Sequence, residues 1–377
     1  MPESVETAST LDELIARSRV LGADESLVVL GGGNTSAKGQ MRDHLGRDQE
    51  VLWVKGSGAQ LRTAHRKDFP ALRLAELLPL REFTAMADDQ MLQFVGQAMV
   101  DVTMPRPSIE TLLHAFLPYA HIDHVHADAI CTLTNHREGP RIVREALGEE
   151  FAYVDWMRPG FELSRLVAEF ANDQGAGYQG VVLAHHGLVT WGPDSASCLA
   201  QTLSTVERAR AFLDAYPRQS ASTFAVPNLP VEASRQLVLK LRGAMASTGR
   251  RILAVDHSQR ELSDDPQLAS MVAAGVSSAD HMLTIKPRSM VLAASEDVEP
   301  AIATYVQSYH EFVAHGRSLS SEIVAHEGTH DPMPRVVLVP GLGMITTGAD
   351  RNQAAQAAQV ARHTLTVARD IAQRFAD

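Results

Sequence analysis

Cysteine is nearly missing from this chain: Cys131 and Cys198 are the only two in 377 residues, with no C-x-x-C pair and no framework spacing. That excludes disulfide stapling and implies reduced thiols. Long apolar runs are missing too. None approaches the ~20 residues that a membrane-spanning helix needs, and the opening MPESVETASTLDELIARS is acidic and polar, unlike a secretory signal. A cytoplasmic protein without membrane contact is expected. Excess positive charge is also absent. At a net charge of −11 there is no broad basic face for nucleic acid, and an anionic ligand would need a locally built pocket. Nucleotide fingerprints are lacking as well. GGGNTSAKG does not have G-x-G-x-x-G spacing, no GKS or GKT follows it, GLGMITTG at 341–348 does not fit, and no tyrosine has a lysine four residues on. A nicotinamide enzyme is therefore discounted.

What is present is ordinary globular material, 45% hydrophobic and 21% charged, long enough for two packed units. The runs SLVVL (26–30), EVLWV (50–54), IDHVHADAI (122–130) and VVLAHHGLVTW (181–191) read as strands. Pro107 and Ser108 precede IETLLHAFLPY, a helix start with Glu110 in the first turn, and 194–214 has helical spacing. From Tyr216 to Pro230 the text shifts to YPRQSASTFAVPNLP, which reads as a linker. Beyond it come a helix near 231–247, strands at RILAV, HMLTI, SMVLA and RVVLVP, and a long final helix from about Arg351 to Phe375. The pattern is α/β, and no internal repeat stands out.

Within IDHVHADAI, His124 and His126 are two apart, so a strand directs both imidazoles to one face, where they can converge on an ion. In VVLAHHGLVTW an extended chain sends His185 and His186 to opposite faces, and either can supply a third ligand. Three imidazoles with an open fourth position make a catalytic rather than a structural Zn²⁺ site. The plainer alternative is half-buried strand histidines bonded to backbone. His114 is read as structural, and Glu110 as a catalytic carboxylate or one that only meets the helix dipole. LGGGNTSAKG and LWVKGSGAQL each leave an apolar strand through a glycine-rich loop whose amides suit phosphate, with Asn34, Thr35, Ser36, Ser57, Lys38 and Lys55 adding donors and charge.

The ordered set GNTS, KGSG, PSIE, HVH and HHGL, over roughly residues 11–215, resembles the class II aldolase/adducin family. PSIETLLHAFLPYAHIDHVHADAI and VVLVPGLGMITTGADRNQAAQAAQ resemble the aldolase part of bifunctional rhamnulose-1-phosphate aldolase/alcohol dehydrogenases, without the dehydrogenase. The resemblance implies a three-layer α/β/α domain with a central, mostly antiparallel sheet over residues 1–225, and a smaller C-terminal α/β domain over 231–377. It implies metal ligands His124, His126 and His186, the histidine before glycine, and a catalytic Glu110. Phosphate contacts fall on Asn34 with Thr35 and Ser36, on Ser57 and Gly58, and on Ser108; Ile109 stands where related aldolases often have a second serine. The implied reaction is reversible cleavage of a ketose 1-phosphate to dihydroxyacetone phosphate and an aldehyde. The implied cofactor is Zn²⁺, with Mn²⁺ or Co²⁺ as substitutes, and a homo-oligomer, usually a tetramer, is implied as well. A 4-epimerase or decarboxylase on the same scaffold, or a non-catalytic adducin-like interaction protein, are the competing readings.

Overall fold

The computed structural model describes residues 5–172, 177–216, 218, 226–319 and 331–375, with side chains from residue 10 onward. The chain forms two compact units, 1–216 and 217–377. Most of the expected linker, at 217 and 219–225, lies outside the described residues.

Unit 1 is built on seven strands: β1 (Asn34–Arg42), β2 (Asp48–Val54), β3 (Ala71–Arg73), β4 (His121–Val125), β5 (Phe151–Val154), β6 (Gly180–Leu183) and β7 (Gly187–Gly192). Their order is β3-β2-β1-β4-β7-β6-β5. Every neighbour pair is antiparallel except β5 with β6. Its helices are α1 (Val5–Ala23), α2 (Leu74–Leu77), α3 (Asp88–Gln97), α4 (Thr111–Phe116), α5 (Asp128–Thr134), α6 (Gly139–Leu147), α7 (Phe161–Asn172) and α8 (Ser195–Asp214). The sheet's alternation assigns its two faces. Val51 and Trp53 of β2 pack with Leu11, Leu14 and Ile15 of α1, whereas Leu52 and Val54 pack with Leu112 and Phe116 of α4. On β4, Asp123 faces α1 and α8, and Ile122 packs with Leu113 of α4 and Leu163 of α7. The result is the expected mixed α/β architecture, a mostly antiparallel sheet with helices on both faces.

Three elements of unit 1 differ from the sequence reading. Ser26–Leu30 is turn and irregular chain, not a strand. The Asp24 carboxylate accepts hydrogen bonds from the backbone N–H and hydroxyl of Ser26, and the Asp24 carbonyl from the N–H of Leu27, so local bonds capture the backbone groups that a ladder would need. The glycine loop therefore enters β1 rather than leaving a strand. IDHVHADAI is strand only to Val125 and helix from Asp128. VVLAHHGLVTW is a hairpin, β6 and β7, turning at Ala184–His186 with His185 at φ 53°.

Unit 2 has a four-stranded sheet ordered β8-β11-β10-β9, from β8 (Ile252–Asp256), β9 (Met290–Val291), β10 (Val336–Val339) and β11 (Gly343–Gly348). Its helices are α9 (Val231–Met245), α10 (Arg260–Ser263), α11 (Leu268–Ala274), α12 (Ala279–Ile285), α13 (Val298–Leu319) and α14 (Arg351–Arg374). HMLTI, expected as a strand, lies in α12, and SMVLA contributes only two strand residues. A five-residue apolar run carries no period long enough to separate a strand from a buried helical turn. Among the described residues, no helix is long and apolar enough to cross a membrane.

Candidate metal centre

The site forms where β4 ends. His124 is on β4 directly opposite Asn34 of β1 on one side and Val189 of β7 on the other. His126 follows the strand end by one residue, and His186 closes the turn before β7. Gly187 must be glycine: a Cβ there would meet the Val125 carbonyl oxygen at 2.3 Å and the His126 ring at 3.1 Å. The close approach of that turn to β4 is what brings His186 to the other two histidines.

His124 Nε2 lies 3.0 Å from His126 Nε2 and 3.2 Å from His186 Nε2. Glu110 Oε1 lies 3.3 Å from His124 Nε2 and 3.4 Å from His186 Nε2. All four residues are buried, and their ligand atoms fall within 4.8 Å of one another. Glu110 is the N-cap residue of α4 rather than part of its first turn. Its side chain does not cap the helix, and Oε1 is directed at His124 and His186.

The donor set fits a divalent cation. His124 Nδ1 donates to the Leu188 carbonyl at 3.1 Å, which leaves Nε2 a bare lone pair facing two further ring nitrogens. Glu110 Oε1 is buried with no hydrogen bond. Burial opposes ionisation of Glu110, but positive charge on the imidazole cluster, at His124 first and then His186, outweighs it and holds the carboxyl well below its usual range, as a cation held by those nitrogens would in its place. An anionic oxygen among converging imidazole lone pairs is an arrangement that a metal ion satisfies.

Behind the cluster runs a relay that the sequence reading did not see. Asn34 Nδ2 donates to Glu110 Oε2 at 2.7 Å and to Ser108 Oγ at 3.3 Å. Its Oδ1 is met by Nε2 of His114, whose Nδ1 is 2.7 Å from Ser36 Oγ. His114 must donate from Nε2, so Nδ1 accepts from the serine. Burial and the nearby His124 charge pull His114 down to about 3, which keeps it neutral. The detectable signal was spacing, since Glu110 and His114 are four apart at the start of a helix and share its face.

The remaining predicted residues are dispersed. Thr35, on the opposite face of β1, bonds Ser18 of α1 at 2.7 Å. Ser57 and Gly58 are exposed, Gly58 at φ 78°. Their loop is held to the Ser108 segment by Ser57 N–H to the Arg106 carbonyl and Ser108 N–H to the Lys55 carbonyl. Both lysines are committed to backbone. Lys55 Nζ donates to the carbonyls of Gly31 and Ala59. Lys38 Nζ donates to those of Ala115 and Leu117 at the end of α4, where burial brings it down to about 8.

A buried three-histidine, one-carboxylate cluster at the end of a mostly antiparallel sheet defines a protein able to hold a mononuclear metal. The chain belongs to the class II aldolase and adducin family: residues 12–213 match the class II aldolase and adducin N-terminal domain, and 232–375 match the second domain of class II aldolases. It is 33% identical over 358 residues to an uncharacterized oxidoreductase, YuxG, of Bacillus subtilis (strain 168). That match takes in 90% of this chain and 51% of the relative, so the chain spans about half the length of that curated protein. Among solved structures it is similar to the N-terminal class II aldolase domain of a conserved protein from Thermoplasma acidophilum. The identity is 38% and the TM-score 0.51, over 54% of this chain and 93% of that one.

Proposed function

We propose that the chain is a metal-dependent lyase that reversibly cleaves a ketose 1-phosphate, such as rhamnulose 1-phosphate, to dihydroxyacetone phosphate and an aldehyde. The meeting of Glu110 with His124, His126 and His186 supports this reading most. In it the three histidines would hold Zn²⁺, or Mn²⁺ or Co²⁺ in its place, which would supply a Lewis acid able to withdraw electron density from substrate oxygen. Glu110 handles the proton. Its Oε2 is anchored by Asn34 while Oε1 faces the cluster, and the group is held ionised. In the synthetic direction Oε1 removes a proton from the carbon beside the ketone of dihydroxyacetone phosphate, and that carbon then bonds to the aldehyde carbon. In cleavage the C4 hydroxyl gives up its proton as the aldehyde carbonyl forms and the C3–C4 electron pair stays on C3, and Oε1, having taken up a proton, delivers one to C3; in synthesis the proton it removed goes to the oxygen of the new C4 hydroxyl, so none is gained or lost. Ser57, Gly58 and Ser108 serve the phosphate, with Asn34 orienting Ser108. Thr35 and Ser36 shape β1, and the homo-oligomer and cytoplasmic setting belong to the same reading.

The test is release of dihydroxyacetone phosphate from a panel of ketose 1-phosphates, rhamnulose and fuculose phosphates included, before chelation, after it, and after Zn²⁺ add-back. Release that chelation abolishes and Zn²⁺ restores is expected. A sugar inverted at C4 would make the chain an epimerase, and carbon dioxide release a decarboxylase. A chain that binds no metal would be an adducin-like interaction protein.

A further inference from the structure

Unit 2 repeats the half of unit 1 that carries the histidines. Its sheet order, β8-β11-β10-β9, matches the β4-β7-β6-β5 segment of the larger sheet. In each, the first two neighbour pairs are antiparallel and the last is parallel. The chain order also agrees: helix, strand, helices, strand, helix, hairpin, long helix. The hairpins agree residue by residue. By register Val181, Val182 and Leu183 correspond to Val337, Leu338 and Val339. Then Gly187, Thr190, Gly192 and Asp194 correspond to Gly343, Thr346, Gly348 and Asp350. Asp194 caps α8 through the N–H of Ser197, and Asp350 caps α14 through that of Gln353. A Cβ on Gly192 would fall 2.5 Å from Cys198 N, and one on Gly348 would fall 2.5 Å from Ala354 N, six residues on in both cases. The two turns, 184–186 and 340–342, are equally long.

The register then locates the counterparts of the metal ligands. His124 stands opposite Val189, and Val255 opposite the equivalent Ile345. His126, two residues on, corresponds to His257. His186 closes its turn with an N–H bond to the Leu183 carbonyl, as Leu342 does to that of Val339. Val255, His257 and Leu342 indeed come together, lining one cavity of about 680 Å³ with Leu229 and Val238. His257 Nδ1 donates to the Leu342 carbonyl at 3.0 Å, which leaves Nε2 bare, the state in which His124 is held.

We propose that unit 2 is a second copy of the histidine-bearing layer that has lost its metal, with His257 at the one surviving ligand position and Val255 and Leu342 in place of the other two. The proposal rests on the reading that His124, His126 and His186 hold a metal. A single ion per chain follows, held in unit 1, while the equivalent place in unit 2 has become an apolar cleft.

Restoring the ligands tests this. In the full chain carrying Val255→His and Leu342→His, metal content after loading with Co²⁺ should rise from one to two per chain, with about twice the tetrahedral Co²⁺ absorption. Adding His257→Ala should return it to one. One Co²⁺ in the double variant, with an unchanged melting curve, would overturn the repeat. If the double variant does not fold, Val255→His alone, at a partly exposed edge position, should add one Cu²⁺ with two-nitrogen coordination by electron paramagnetic resonance, lost on adding His257→Ala. No added Cu²⁺ there overturns the repeat equally. A wild-type chain without metal whose double variant gains one would overturn the unit 1 site and leave the repeat standing.

Discussion

Asn34 fixes what Glu110 can do. By holding Oε2 it leaves Oε1 directed at the histidines, and His114 in turn fixes which end of the amide is the donor. Glu110→Gln should therefore keep the metal, since three imidazoles remain, while turnover falls about 10²-fold or more, the scale of a lost general acid/base. Metal analysis beside steady-state rates checks both halves, and unchanged turnover would remove Glu110 from the chemistry. His114 gives a pH prediction. Its folded value of about 3 lies below the ordinary histidine value of 6.5, so between those limits the unfolded chain binds a proton that the folded chain does not. The stability it contributes is complete above pH 6.5 and is lost as pH falls toward 3. Urea unfolding across that range should show a steeper acid loss for wild type than for His114→Gln, and parallel curves would contradict the assignment.

The turn between β6 and β7 shows how elements make the site. Gly187→Ala would push a methyl into the Val125 carbonyl, so a loss of about 1–3 kcal/mol is expected, with weakened metal binding because His186 moves with the turn. Thermal melts with and without Zn²⁺ would measure it. An unchanged metal affinity would separate the turn from the site. Elements also explain what was legible beforehand. The i, i+2 spacing of His124 and His126 survived although His126 lies past the strand, because one further extended residue preserves the alternation. SLVVL misled because apolar residues that plug a turn look like a short buried strand, and the Asp24 bonds that decide between them are local polar contacts. His185 and His186 could not be ranked while the run was taken as one strand. The hairpin depends on how closely Gly187 approaches β4, a tertiary fact. The long α8 and α14, periodic over many residues, were the easiest to read.

At the scale of the whole molecule, a buried ion pair ties the layers of unit 1. Arg17 of α1 meets Asp123 of β4 at 2.9 Å, with Thr202 of α8 donating to the same carboxylate and Arg17 donating to the Ser36 carbonyl of β1. Arg17→Met would leave Asp123 buried and uncompensated, a cost of about 3–5 kcal/mol, readable by urea denaturation. A loss below ~1 kcal/mol, the level of a surface pair, would mean that the pair does not hold these layers together. Because Asp123 and His124 are neighbours on opposite faces of β4, the same strand carries the staple on one side and a candidate metal ligand on the other. The central claim is that the three histidines and Glu110 act together on a carbon next to a carbonyl. The measurement that tests it most directly is exchange of solvent deuterium into dihydroxyacetone phosphate, followed by proton nuclear magnetic resonance without any aldehyde. Stereospecific loss of one C–H signal is predicted for the metal-loaded wild type, and none after chelation or in Glu110→Gln. Exchange that survives both treatments would contradict the account.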